Sequence, residues 1–282
     1  MTGTRRAFVI GHPIAHSRSP MLHGHWLKVH GIDGSYEKID VTPADLPAFF
    51  DGFKAAGWIG GNVTVPHKST VIPHLARLDA TATAMGAVNT LWWEGDDLVG
   101  GNTDAIGFLG NLDDRAPGWD RDAKRATLLG AGGAARAAIY GLRGRGIEVA
   151  VANRTLAKAE ELARFFGAGV SAHGLDALPA LQKSSDLFVN AASLGMSGKD
   201  PLVIDLAPLP RNAIVYDVVY VPLETDLLRQ AAARGLRTVD GLGMLLHQAV
   251  EGFRHWFGTT PKVTGELRAI LEADIRAATP RN

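Results

Sequence analysis

The sequence predicts an α/β protein of two domains: an N-terminal α/β unit over residues 1–104, and a doubly wound parallel sheet over residues 105–241. Helices in residues 242–282 are expected to return to the first unit. Three observations predict this. Short β-branched runs alternate with helix signals through residues 8–100, and the rhythm of strands and helix-length segments becomes cleaner after Asp104. From Leu242 onward, Leu245, Leu246, Ala249, Val250, Phe253 and Trp256 recur at helical spacing. At 282 residues the chain exceeds an ordinary domain of roughly 100 to 200 residues, so two compact units with a site between them are expected.

The first strand is expected over residues 8–10, followed by Gly11 and a polar turn. Ser19-Pro20 then opens a helix toward His30, because proline in the first helical turn sacrifices no backbone bond and its φ suits a helix. Residues 36–41 read as the second strand. Thr42-Pro43 followed by Asp45 starts a helix with a capping residue, and residues 60–65 form a third strand that stops at Pro66. Residues 88–93 and 98–100 form a hairpin that turns at Gly95-Asp96. In the second domain strands are expected over residues 126–129, 148–152, 187–190 and 215–219, with helix-length segments between them. Residues 112–122 read as a linker, and residues 266–277 as a second terminal helix.

Composition narrows the function classes. Hydrophobic residues make up 46% and charged residues 21%, a globular balance that argues against disorder and fibrous architectures. Twenty-nine basic residues offset twenty-nine acidic ones, so no global field draws the protein to nucleic acid or to an anionic membrane, and any anion site must be local. The absence of cysteine removes disulfides, thiolate metal sites and a cysteine nucleophile, and fits a reducing compartment. The apolar run of residues 7–10 is too short for a signal-peptide core and no segment approaches a membrane span, so the cytoplasm is the expected location, as a monomer or homodimer. Ten histidines include His12 with His16 and His23 with His25. No H-E-x-x-H and no clear carboxylate partner accompanies them, so no metal is expected and they read as turn and surface residues.

Thr127-Leu128-Leu129-Gly130-Ala131-Gly132-Gly133-Ala134-Ala135 places G-x-G-x-x-A at the end of a strand and the start of an alanine-rich helix. Glycine permits a tight turn and close backbone approach to a pyrophosphate, while the helix N-terminus offers free N–H groups and partial positive charge. The motif therefore reads as a dinucleotide turn of a Rossmann-like domain. NAD enzymes usually end the next strand with a carboxylate for the ribose hydroxyls. Here that strand ends in Asn153-Arg154-Thr155, with no acid to repel a 2′-phosphate, and Arg154 with Lys158 one helical turn later offers charge-assisted hydrogen bonds to it. The expected cofactor is NADP. An exposed cationic pair on a helix start is the ordinary alternative.

Polar residues of the first domain cluster where strands end, which is where open α/β sheets collect ligands. His16-Ser17-Arg18-Ser19-Pro20 sets two hydroxyls on a turn into a helix N-terminus, a receptor suited to a carboxylate; a Ser19 that only caps the helix is the alternative. In Asn62-Val63-Thr64-Val65-Pro66-His67-Lys68, alternation puts Asn62 and Thr64 on one strand face and sends Val63 and Val65 into the core. Lys68 then falls on an expected helix start, where the helix N-terminus and partial burial both disfavour its ammonium form and would poise it for proton transfer; an ordinary solvated lysine is the alternative. Gly101-Asn102-Thr103-Asp104 follows the hairpin, after Ala87-Val88-Asn89-Thr90, and brings a carboxylate and an amide toward the same place, unless Asp104 merely caps the next helix. Hydride reduction of a ketone needs a proton donor at the carbonyl oxygen, a task that suits Lys68 with Asp104.

Taken together, the segments HSRSP, NVTVPHK, GAVNT, GNTD, GAGGAAR, NRT, NAASLGM, YDVVY and DGLGMLLHQ resemble the shikimate dehydrogenase family in order and over nearly the whole chain. The resemblance implies reversible NADPH-dependent reduction of 3-dehydroshikimate to shikimate, a step toward aromatic amino acids. It further implies that Ser17 and Ser19 hold the substrate carboxylate, that Asn62, Thr64, Asn89 and Asp104 bind ring hydroxyls, and that Lys68 is the principal acid/base with help from Asp104. Tyr220 and Gln248 would complete the pocket. On the cofactor side it implies Gly130, Ala131, Gly132, Gly133 and Ala134 at the pyrophosphate, Asn153, Arg154, Thr155 and Lys158 at the adenosine end, and Gly241 and Met244 near the nicotinamide.

One departure is Ala192 in Asn190-Ala191-Ala192-Ser193, where many relatives of that family carry threonine; it removes one hydroxyl from the cofactor loop and leaves Lys68 and Asp104 in place. Rival readings are a quinate/shikimate or aminoshikimate dehydrogenase of the same superfamily, and a non-catalytic sensor of cofactor or metabolite. Serine at both 17 and 19 favours shikimate, and retention of Lys68 and Asp104 disfavours the sensor.

Overall fold

The structure, a computed structural model, describes residues 4–278. The chain folds into two compact units. The first comprises the chain up to Asp104 together with Gln248–Leu271; the second comprises Ala105–His247 and the end of the last helix from Glu272.

In the first unit the elements are β1 (Arg5–Gly11), α1 (Ser19–Val29), β2 (Gly34–Asp40), α2 (Leu46–Gly52), β3 (Trp58–Val63), β4 (Arg77–Leu78), α3 (Ala80–Met85), β5 (Thr90–Glu94) and β6 (Asp97–Gly101). They form a sheet in the order β2-β1-β3-β5-β6-β4. β1 runs parallel to β2 and β3, whereas β5 is antiparallel to both β3 and β6. Phe8 fastens this sheet to α2: its ring meets Phe49, Phe53 and Trp58 edge-on at 5.3, 5.4 and 5.3 Å, a geometry aromatic quadrupoles favour. Val63, Val71, Val88 and Leu91 extend the same core.

The second unit contains β7 (Arg125–Leu129), α5 (Gly133–Gly144), β8 (Glu148–Ala152), α6 (Leu156–Phe166), β9 (Val170–His173), α7 (Leu178–Gln182), β10 (Leu187–Asn190), β11 (Ile214–Asp217), α8 (Asp226–Ala233) and β12 (Arg237–Val239), preceded by α4 (Asp104–Arg115). Its sheet is parallel throughout, in the order β12-β11-β10-β7-β8-β9. The first strand of the unit lies in the middle and the order reverses beside it, the doubly wound arrangement of a Rossmann-like sheet. Ala135, Ala138, Ile139 and Leu142 of α5 pack on Leu128, Val149 and Val151, so the alanines of this helix allow close approach to the strands. The chain ends in α9 (Leu242–Phe257) and α10 (Gly265–Ala278), with α9 divided between the units at His247 and Gln248. No helix among the described residues is long and apolar enough to cross a membrane.

Several local expectations are corrected. Lys68 lies in a run of turns before the short 3₁₀ segment Ile72–His74, not on a helix start, so no helix dipole acts on its ammonium. Val65 is exposed rather than in the core: β3 ends at Val63, and with it ends the strand alternation. The helix after Thr42 begins only at Leu46, and Asp45 makes no side-chain cap bond; its carboxylate accepts from Thr42 Oγ1 at 2.6 Å instead. Residues 112–115, expected as linker, are the last turn of α4. His23 is neither in a turn nor on the surface. It is fully buried on α1, stacked on Tyr36 with ring centroids 4.0 Å apart.

Candidate active site

The hairpin of β5 and β6 delivers Asn89 just before one strand and Asp104 three residues beyond the other, so antiparallel pairing brings two distant segments side by side. Asp104 opens α4, and its backbone N–H donates to Asn102 Oδ1 at 3.0 Å. With Asn102 serving the helix end, the Asp104 carboxylate is released from capping. Its Oδ2 accepts from Lys68 Nζ and its Oδ1 from Asn89 Nδ2 at 2.8 Å. The Lys68 and Asp104 side chains are 20% and 9% exposed, so this ion pair is shielded from solvent on most sides yet open on one. The loop carrying Lys68 is fixed by its own backbone, Val88 N–H donating to Lys68 O at 2.7 Å.

Asn89 is the hub of a buried polar network. Its Nδ2 also faces Thr103 Oγ1 at 3.1 Å and Gln248 Oε1 at 3.3 Å, and its Oδ1 accepts from Thr90 Oγ1 at 2.7 Å and from Thr103 N–H at 2.9 Å. Gln248, from α9, is thereby placed beside the Lys68–Asp104 pair. Asn62 extends the network: its Nδ2 donates to Asn89 O at 2.9 Å and faces Thr90 Oγ1 at 3.3 Å, while its Oδ1 accepts from Tyr36 Oη at 2.6 Å. Both amide hydrogens of Asn62 are thus directed within the protein. Ser19 N–H donates to Ser17 Oγ at 3.4 Å, so the two serines sit together at the start of α1. Ser19 does not cap that helix; Arg18 holds the cap position and makes no side-chain cap bond. Thr64 is half-buried one residue beyond β3, outside this network.

In the second unit, Gly130 joins β7 to α5 with φ +106°, a conformation L side chains rarely adopt. A Cβ there would meet Ala192 N at 2.8 Å. Gly132 is the N-cap of α5, exposed, and a Cβ on it would meet nothing within 4 Å. Ala131, Gly132, Gly133 and Ala134 therefore present the N-terminus of a 12-residue helix without a side chain in front of it. That is the shape a pyrophosphate needs. After β8, Asn153 Nδ2 donates to Thr155 O at 2.9 Å and shapes the turn into α6. Arg154 and Lys158 are exposed, and among the described residues neither side chain is held in an ion pair. Gly241 is packed against the end of β11, where a Cβ would lie 2.1 Å from Val218 O; Met244 and Tyr220 are half-buried in the same unit.

Three groups are not legible as site residues in the sequence. Thr90 and Thr103 belong to the polar network through hairpin pairing, and only their places inside the AVNT and GNTD segments hint at it. Asp217 is buried at the end of β11, where its Oδ1 accepts from Asn190 Nδ2 at 2.9 Å and Val219 N–H at 3.0 Å and its Oδ2 from Thr225 Oγ1 at 2.6 Å. Burial pushes its carboxyl up to about 6, against those hydrogen bonds. Asn190 Oδ1 in turn accepts from Ala192 N–H at 3.1 Å, so this carboxylate organises the loop facing Gly130. A groove of about 450 Å³ along β7 to β9, lined by Thr127, Ser171, His173 and Ser185, contains none of the expected site residues.

Comparison with known proteins identifies the family of the chain. Residues 9–91 match the family model described as shikimate dehydrogenase substrate binding domain, residues 118–213 that for shikimate / quinate 5-dehydrogenase, and residues 241–265 that for the shikimate 5'-dehydrogenase C-terminal domain. The shikimate dehydrogenase (NADP(+)) of Mesorhizobium japonicum is 58% identical over 96% of this chain and 97% of its own. The crystal structure of a Thermus thermophilus shikimate 5-dehydrogenase in complex with NADP(H) and shikimate superposes with a TM-score of 0.84 at 37% identity, covering 97% of this chain and 99% of that one. A Corynebacterium glutamicum quinate dehydrogenase in complex with NAD superposes with a TM-score of 0.88 at 31% identity, covering 95% and 99%.

Proposed function

The chain belongs to the shikimate dehydrogenase family, and from that premise we propose that it catalyses the reversible NADPH-dependent reduction of 3-dehydroshikimate to shikimate in aromatic amino-acid biosynthesis. The observation that carries this reading is the Lys68–Asp104 pair, joined through Asn89 to Gln248 in one shielded polar network. Such a pair places a proton donor next to a carboxylate able to orient a ring hydroxyl.

Bound NADPH supplies the hydride to the ketone carbon. In that direction Lys68 gives a proton from its ammonium to the carbonyl oxygen as the oxygen gains charge, and recovers one from solvent through its exposed fifth. In the reverse direction its neutral amine takes the hydroxyl proton. Asp104 fixes the lysine and accepts a hydrogen bond from the neighbouring ring hydroxyl. Asn62, Thr64, Asn89, Gln248 and Tyr220 bind or frame the ring hydroxyls, and Ser17 and Ser19 receive the carboxylate. The turn from Gly130 to Ala134 would hold the pyrophosphate, Asn153, Arg154, Thr155 and Lys158 would lie at the adenosine end with Arg154 and Lys158 at its 2′-phosphate, and Gly241 and Met244 would lie near the nicotinamide. The absence of cysteine suits work in the reducing cytoplasm.

The similarity to an NAD-bound quinate dehydrogenase supports a second reading, oxidation of quinate with NAD. Steady-state turnover of shikimate and of quinate, each with NADP and with NAD, separates the two. A kcat/KM preference for shikimate with NADP is expected. Preference for quinate or NAD moves the enzyme to the second reading, and cofactor binding without turnover of either substrate removes both.

A further inference from the structure

Residues 240–243 lead from the carboxyl end of β12 into α9. That edge of a parallel sheet is where open α/β folds take their ligands, and Gly130 lies on the same edge of the same sheet. Leu242 N–H donates to Asp240 Oδ1 at 3.0 Å and so closes the turn into the helix. A further hold comes from α4. Asn111 is fully buried there, and its Nδ2 donates to Asp240 O at 2.6 Å and to Tyr216 Oη at 2.9 Å. A backbone carbonyl can only accept, so Asp240 O fixes which end of the Asn111 amide faces it. Oδ1 is thereby turned toward Gly243, where a Cβ would lie 1.8 Å from it, and it has no hydrogen-bond partner among the described residues. Phe108, one turn earlier on α4, lies parallel to the Tyr216 ring with centroids 4.8 Å apart, so one helix face meets both the ring and the hydroxyl of this tyrosine.

We propose that Asn111 is a positioning residue for the nicotinamide end of the cofactor, acting through the backbone of residues 240–243 and supported by Tyr216. A position needed only for packing would be served by an apolar side chain. A buried amide whose own oxygen is unpaired is a net cost unless its two N–H bonds are required. One of those bonds holds the carbonyl immediately before Gly241. Glycines make room for the approach of α4 to α9: a Cβ on Gly243 would strike Asn111, and one on Gly110 would lie 3.0 Å from the His247 ring. In the proposed reading Gly241 and Met244 lie near the nicotinamide. A segment fixed before the cofactor arrives does not have to be ordered by binding, and it presents the ring for hydride transfer in one place.

The inference rests on the proposed NADP-dependent reaction, and its test separates the two. For wild type, Asn111→Ala, Tyr216→Phe and the double variant, kcat/KM for NADP is measured at saturating shikimate, per folded enzyme as judged by circular dichroism. The inhibition constant of 2′,5′-ADP, which carries the adenosine end alone, is measured beside it. Asn111→Ala is expected to lower kcat/KM for NADP by about three- to ten-fold, the worth of one lost hydrogen bond, with the inhibition constant of 2′,5′-ADP within about two-fold of wild type. A general loosening of the domain would weaken both. Tyr216→Phe keeps its ring on Phe108 and should shift kcat/KM in the same direction by a smaller factor, and it decides the matter if Asn111→Ala does not fold. The double variant should be hardly worse than Asn111→Ala, because the two substitutions act on one interaction. Equal weakening of NADP and 2′,5′-ADP, or kcat/KM for NADP unchanged in both single variants, overturns the positioning role and leaves the proposed reaction intact. A wild-type enzyme that does not turn over shikimate with NADP overturns that reaction and this inference with it.

Discussion

The carboxylate of Asp104 is divided between two donors: Oδ2 accepts from Lys68 and Oδ1 from Asn89. Because each oxygen has its own partner, Asp104 cannot rotate without losing one, and the Lys68 ammonium is held at a fixed point of the network. Lys68→Ala is therefore expected to lower kcat by about 10²- to 10⁴-fold, the usual range for losing a positioned acid/base, with a much smaller change in KM. Turnover near the wild-type rate, measured at saturating substrate and cofactor, removes Lys68 from the chemical step.

Asp104→Asn tests the other half of the pair. An asparagine can keep its carbonyl oxygen toward Asn89 only by turning its amide hydrogens toward the lysine, which replaces an acceptor by a donor facing a cation. The expected result is a fall of about 10²-fold or more in kcat/KM for shikimate, shared between kcat and KM, because in the proposed reading Asp104 both orients Lys68 and accepts from the substrate. A variant within about three-fold of wild type in both parameters refutes that dual role.

The proposed reading gives cofactor choice to Arg154. Its side chain is exposed at the start of α6 and meets no carboxylate at the end of β8. In Arg154→Ala, loss of one charge-assisted contact to the 2′-phosphate should weaken NADPH about 10- to 100-fold and leave NADH nearly unchanged. Equal weakening of both, by fluorescence titration, assigns the phosphate to other groups.

Much of this arrangement is legible in the sequence, for reasons that differ by element. The cofactor turn is legible because its physics is local: Gly130 has a backbone conformation strained for any other residue and sits where a strand hands over to a helix. Lys68 and Asp104 are legible only as members of motifs. What joins them is the hairpin that sets Asn89 beside Thr103 and Asp104, a long-range pairing that neither motif encodes alone. The short strands β4, β9 and β12 escape because two to four residues carry no reliable periodicity. A histidine two residues from another in a helix reads as solvated, yet the neighbours of His23 in space, Tyr36, Phe253 and Trp256, come from β2 and α9 and enclose it.

Burial of His23 makes stability depend on pH. Neither of its ring nitrogens has a hydrogen-bond partner among the described residues, and desolvation lowers its pKa from 6.5 to about 3. Its contribution to stability is present above the unfolded value near 6.5 and is lost as pH falls toward 3, at up to about 1.4 kcal/mol per pH unit. Asp217 has the opposite sign. Desolvation raises its pKa from 3.8 to about 6, so its contribution is present below 3.8 and lost as pH rises through 6. Between pH 4 and 6 the two slopes oppose each other. His23→Phe keeps the stack on Tyr36 and removes the unpaired nitrogens, and it should stabilise the protein increasingly as pH falls from 6.5. Asp217→Asn keeps an acceptor for Asn190 and Val219, and relative to wild type it should lose stability as pH falls from 6 to 4. Urea midpoints at four pH values from 4 to 7 give both differences. Parallel curves for His23→Phe and wild type would show that this histidine does not stay neutral and buried over that range, and parallel curves for Asp217→Asn would show that the carboxyl titrates as it does in the unfolded chain.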